Sequence, residues 1–140
     1  MAYSTQRRGD AEAREDCHWS AQYIGRPYAE TNCAELAALV QREVFGRAIA
    51  LPDAMPTFAG HQSKMIDALG ADYAYRVACP EDGDAVLMQC RGRLSHVGVF
   101  CDLQGGYVLH AVKNAGQVVL HRVRDLGRVN LVLEGYYRWR

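Results

Sequence analysis

Cys33 is the residue of this chain best placed to act as a nucleophile. It follows the turn-forming stretch GRPYAETN and opens the segment CAELAALVQREVF, so it falls in the first turn of an expected amphipathic helix. The positive end of a helix and its unpaired backbone N–H groups favour an anion, and the thiolate is the reactive form of cysteine. Downstream lie two candidate partners, His96 in RLSHVGVF and His110 in YVLHAV. His96, taking the thiol proton and returning it to a leaving amine, would be a general base and acid. His110, holding the tautomer of His96, would be the third member of a triad. The Cys33 backbone N–H is a natural oxyanion donor, and the Tyr28 hydroxyl is a second candidate for oxyanion or substrate binding.

Each residue also has a plainer reading. Free cysteine is among the most buried residue types, and many such thiols only fill space. Cys33 differs from Cys17, Cys79, Cys90 and Cys101 in its helix-start position, its Gly- and Pro-punctuated approach, and the two strand-borne histidines downstream. His96 and His110 could be hydrogen-bonded structural residues, and Tyr28 could pack its ring with a satisfied hydroxyl. His18, His61 and His121 are expected at the surface or at a sheet edge.

The elements that must position these groups follow from periodicity. Residues 1–15 lack an apolar period and read as a polar N-terminal arm, leaving one domain over 16–140. DCHWSAQYIG is helix-compatible, with Gly25 as a stop. The helix from Cys33 to Phe45 carries an apolar stripe of Leu36, Leu39, Val40 and Val44, with Glu35, Gln41, Arg42 and Glu43 mostly off it, and Gly46 ends it. LPDAMPTF is an irregular connector, and HQSKMIDALG suggests a short helix closed by Gly70. Strand-like runs follow: DYAYRVA, AVLMQC, SHVGVFCDL, GGYVLHAV, QVVLHRV and NLVLEGYYRW, with turns at Gln104–Gly106 and around Asn114 and Gly116. Helices followed by an antiparallel meander make an α+β pattern.

Bulk properties narrow the function classes. The 140 residues are one domain's worth, and 49% hydrophobic with 23% charged residues is ordinary globular composition. The 16 Lys and Arg balance the 16 Asp and Glu, which leaves no positive field for nucleic acid. Five cysteines without a CxxC pair suggest neither a zinc knuckle nor a disulfide framework, so no metal or other cofactor is expected, and a reducing cytosol fits. No run approaches the roughly 20 apolar residues of a membrane span, and the polar start has no signal-peptide h-region.

Taken in order, IGRPY, NCAELAALVQREVFG with its following Leu51-Pro52, GDAVLM, SHVGVF, YVLHAV and EGYYRW resemble the NlpC-type cell-wall cysteine peptidases, and within them the short versions encoded among bacteriophage tail genes. The likeness runs from about Trp19 to Trp139. It implies a minimal papain-like fold, with Cys33 as nucleophile, His96 as general base, His110 as orienting residue and Tyr28 as the tyrosine of the family's Pro-Tyr motif. Asn32 replaces the aspartate that usually precedes the cysteine; Asn caps helices about as well. Ala34-Glu35 departs from the commonest continuation, a difference that bears on specificity. The implied function is hydrolysis of an amide in peptidoglycan stem peptides by a phage tail-tip component, with tail-tip or hub proteins as partners. Such a protein is made in the host cytoplasm, carried in the virion and active at the bacterial wall. The alternatives are a structural tail-tip assembly module, and a thiol acyltransferase or amidase acting elsewhere.

Overall fold

A computed structural model of the chain describes residues 18–49, 74–90 and 93–140, with the side chains of 93–95 excepted. The N-terminal arm, the connector LPDAMPTF and the expected helix in HQSKMIDALG, with His61, lie outside the described residues.

Among its described residues, the segment expected as a helix before Gly25 forms one 3-10 turn, Trp19–Gln22, and Gly25 follows at φ +91°. The helix expected at Cys33 is present as α1, Cys33–Phe45, closed by Gly46 in the left-handed conformation. Six strands follow: β1 (Ala74–Val77), β2 (Ala85–Cys90), β3 (Arg93–Cys101), β4 (Tyr107–Val112), β5 (Gln117–Arg122) and β6 (Leu131–Trp139). All pair antiparallel, in the order β1-β6-β2-β3-β4-β5. The fold is therefore α+β.

Two features depart from the expected helices-then-meander layout. A 3-10 helix, Val123–Val129, separates β5 from β6, where the sequence reading has none. Only β2 to β5 form a meander; β6 crosses back and inserts between β1 and β2. Hydrophobic alternation specifies which face a strand buries and not which neighbour it pairs with, so this insertion carries no local signal.

Helix α1 packs on one face of the sheet. Cys33, Leu36, Ala37 and Val40 cluster with Leu87, Val97, Val99, Leu109, Ala111 and Val118. On the other face Val86, Met88, Phe100 and Val108 meet Leu126 of the second 3-10 helix and Leu131 of β6. Gln41, expected off the apolar stripe, is buried, and its Nε2 donates to the Gly83 carbonyl at 2.9 Å. Trp139 Nε1 donates to the same oxygen at 3.1 Å, which ties helix and last strand to the turn before β2. Gly83 sits there at φ +96°, with the Phe45 ring 2.5 Å from where a Cβ would be. Its neighbour Asp84 is buried and accepts from Arg138 Nη2 at 2.9 Å and Nε at 3.2 Å. In GDAVLM the Gly-Asp pair thus serves the fold.

Candidate active site

The start of α1 holds Cys33 by a reciprocal cap. Asn32 Oδ1 accepts from the Glu35 N–H and Glu35 Oε1 accepts from the Asn32 N–H, each at 2.9 Å. Both orphan donors are satisfied inside the first turn, which fixes the backbone that carries the thiol. The side chain is nearly inaccessible, Cys33 being 2% exposed. Burial raises its thiol pKa above the ordinary cysteine value, while the backbone N–H groups of Val97, Ala34 and Cys33 itself pull it down and the nearby Glu35 charge adds to the rise. The expected bias toward thiolate is therefore reversed in the resting protein. The helix end supplies favourable dipoles, but removing a charge from water costs more than they return.

The Val97 N–H reaches the sulfur through a gap in the sheet. The Phe100 N–H donates toward β2, to the Asp84 carbonyl at 2.7 Å. Alternate residues of an antiparallel strand address opposite neighbours, so Val97, three residues back, addresses the β4 side. The β3–β4 ladder ends at Val99 and Leu109, and beyond that point the Cys33 sulfur receives the donor. The thiol thus sits at a notch where the two strands part.

His96 and His110 meet, but on the face opposite α1; the expected approach of His96 to the Cys33 sulfur is not among the described contacts, since strand parity turns Val97 toward the helix and His96 away from it. Nε2 of His96 and Nδ1 of His110 are 2.7 Å apart. Gly98 makes this possible: a Cβ there would lie 2.5 Å from Val108 Cγ2 and 3.1 Å from His110 Cβ. The sequence reading missed the next member. His121, expected at the surface or an edge, places Nδ1 2.9 Å from His110 Nε2. Its register explains this, since Val108 pairs with His121 and His110 with Val119, which puts both histidines on one face of adjacent strands. The signal available in the sequence was parity within QVVLHRV, but it becomes usable only once the register is known. His110 is fully buried between its two partners.

Burial lowers the pKa of His96 to about 4. It pushes His110 lower still, with the neighbouring His96 and His121 adding to the fall. Both rings are neutral at pH 7, so each contact holds one proton between two nitrogens. His96 uses Nε2 toward His110, which leaves Nδ1 as the nitrogen available to a reactant.

His18, also expected at the surface, is largely enclosed: Nδ1 lies 2.9 Å from Ser20 Oγ and Nε2 3.0 Å from Asp82 Oδ1. Asp82 also accepts from Trp19 Nε1 and the Asp102 N–H, making a structural clamp remote from the histidine row.

Tyr28 is carried by a strap across the edge of the sheet. The Tyr28 N–H donates to the Gly116 carbonyl and the Gly25 N–H to the Val118 carbonyl, each at 2.9 Å, and Pro27 bridges to Gln117. Tyr28 and His96 line one cavity of about 200 Å³, together with Cys90, Lys113, Asn114 and Leu131. Cys90, read from sequence as a strand residue only, is a half-buried thiol on the same cavity as His96. Among the described residues no three metal-ligating side chains converge, because the three histidines point at one another in a row. Among the same residues no helix is long and apolar enough to cross a membrane.

Compared with protein-family models, curated proteins and solved structures, the chain matches none.

A neutral thiol and neutral imidazoles, if brought together, suit proton transfer in step with nucleophilic attack rather than a standing ion pair. The N–H groups around Cys33 are already directed at the sulfur, and those of a helix start are the usual donors for an oxyanion.

Proposed function

We propose that this protein is a cysteine peptidase or amidase that hydrolyses an amide of peptidoglycan stem peptides, with a papain-like division of labour between a helix and a sheet. The observation that carries the reading is the His96–His110 contact at 2.7 Å, on strands whose opposite face packs the capped helix that begins at Cys33. The reading requires the Cys33 sulfur, at the notch where β3 and β4 part, to meet His96 round that end of the sheet; Cys33 then attacks the carbonyl as its proton passes to His96 Nδ1. The tetrahedral oxyanion is held by the helix-start N–H groups, with Tyr28 lining the approach. The same proton then goes to the leaving amine, and water reverses the sequence to free the acid. The cavity shared by Tyr28 and His96 is where the peptide would enter.

Delivery at a phage tail tip is the setting that the resemblance suggests, with tail-tip or hub proteins as partners. Digestion of purified peptidoglycan fragments, followed by mass spectrometry, tests the activity. Wild type should release stem-peptide products and Cys33→Ala should not; products from Cys33→Ala at the wild-type rate overturn the proposal. A second reading draws on the burial of Cys33, at 2% exposure: an assembly module in which the thiol is core. It predicts no products from either protein and undiminished tail assembly with Cys33→Ala.

A further inference from the structure

The row of histidines does not end where a triad would. His110 is fully buried, and both of its ring nitrogens are engaged, Nδ1 with His96 at 2.7 Å and Nε2 with His121 at 2.9 Å. A neutral imidazole carries one proton, so with His96 and His110 neutral the two contacts have only two self-consistent arrangements. In one, each ring donates from Nε2 to the next Nδ1, and His96 Nδ1 is a bare lone pair. In the other, every bond runs backward and His96 Nδ1 carries the proton. Only the first can accept a proton from a thiol. With His96 and His110 alone, a proton on the buried His110 Nε2 would have no acceptor, which disfavours the first arrangement; a partner at Nε2 removes that cost.

We infer that His121 is a positioning residue for the base: its Nδ1 offers the acceptor that a proton on the buried His110 Nε2 needs, and so opens the direction of the row that leaves His96 Nδ1 free to take a proton. His121 touches neither nucleophile nor cavity among the described contacts, and acts through His110. Its half-buried ring stands at the outer end of the row, so a proton on its Nε2 need not be buried. In the reaction the thiol proton moves to His96 Nδ1 as sulfur bonds to carbon, while the two inner protons stay in place and only polarise. The catalytic consequence rests on the proposed hydrolase activity; the tautomer assignment does not.

Two substitutions separate the roles. His121→Phe keeps a ring but has no acceptor, whereas His121→Asn offers Oδ1 close to where Nδ1 was. Nitrogen-15 NMR of the histidine rings at pH 7 should show His96 protonated at Nε2 in wild type and in His121→Asn, and a mixture of tautomers in His121→Phe. On a stem-peptide substrate, kcat should fall at least about tenfold in His121→Phe, with KM little changed, and return to near wild type in His121→Asn. An unchanged His96 tautomer in His121→Phe, or equal impairment in both variants, overturns the inference. If His121→Phe does not fold, His121→Leu takes its place with the same expectations. A tautomer shift in a protein that cleaves no peptide supports the positioning role and counts against the hydrolase reading alone.

Discussion

At the scale of single residues, reactivity is decided by burial as much as by chemical type. Helix position alone makes Cys33 the thiol to label first, yet its enclosure and raised pKa favour the opposite order. Timed alkylation of the native protein at pH 7.5, read by mass spectrometry, should modify the exposed Cys79 well before Cys33. Faster labelling of Cys33 than of Cys79 would show that the site opens on the timescale of the reagent. The base follows the same physics. Because burial holds His96 near 4, it remains a proton acceptor well below the usual histidine range. The acid limb of kcat/KM should accordingly fall between about pH 4 and 5 instead of near 6.5. A limb at 6.5 would mean that His96 is solvated in the working enzyme.

At the scale of elements, two substitutions probe how the site is held. Asn32→Ala removes one half of the reciprocal cap and should cost about 1 kcal/mol in denaturant unfolding, with activity falling further because Cys33 is the next residue. Gly98 is the more demanding position. Its missing Cβ is what lets β4 bring Val108 and His110 close, so Gly98→Ala forces the strand pair apart. The expected result is a loss of about 1–3 kcal/mol together with loss of the His96–His110 contact, visible in the same nitrogen-15 spectra. An alanine variant with wild-type stability and spectra would show that β4 shifts to accept a methyl group.

At the scale of the whole molecule, the neutral rings of His96 and His110 make stability depend on pH. His96 titrates near 4 when folded and near 6.5 when unfolded, so between those values the unfolded chain binds the extra proton. Stability is then complete above pH 6.5 and declines as the pH falls toward 4, by roughly 3 kcal/mol for this residue. His110 acts in the same direction. Thermal melts at pH 7.5 and 4.5 should therefore differ, and the difference should shrink in His96→Gln; an unchanged difference would assign the effect to other groups.

Helix α1 and the strands are legible in local sequence pattern, whereas the single 3-10 turn at Trp19–Gln22 and the 3-10 helix Val123–Val129 are not. The helix start at Cys33 follows from Asn32 and Glu35 acting within one turn, and the strands from alternation inside each run, since these interactions span only a few residues. Side-chain parity likewise puts His110 and Val108 on one face without any knowledge of neighbours. Which strands lie side by side was decided only in three dimensions. The entry of Leu131–Trp139 between β1 and β2 and the pairing of Val108 with His121 are contacts across the sheet, selected by the total burial that they permit. The site inherits that division. The proposed nucleophile and first histidine are legible from local pattern, whereas the protonation of Cys33, the contact of His121 with His110 and the placing of Cys90 on the cavity of His96 depend on desolvation and register, which exist only once the chain has packed.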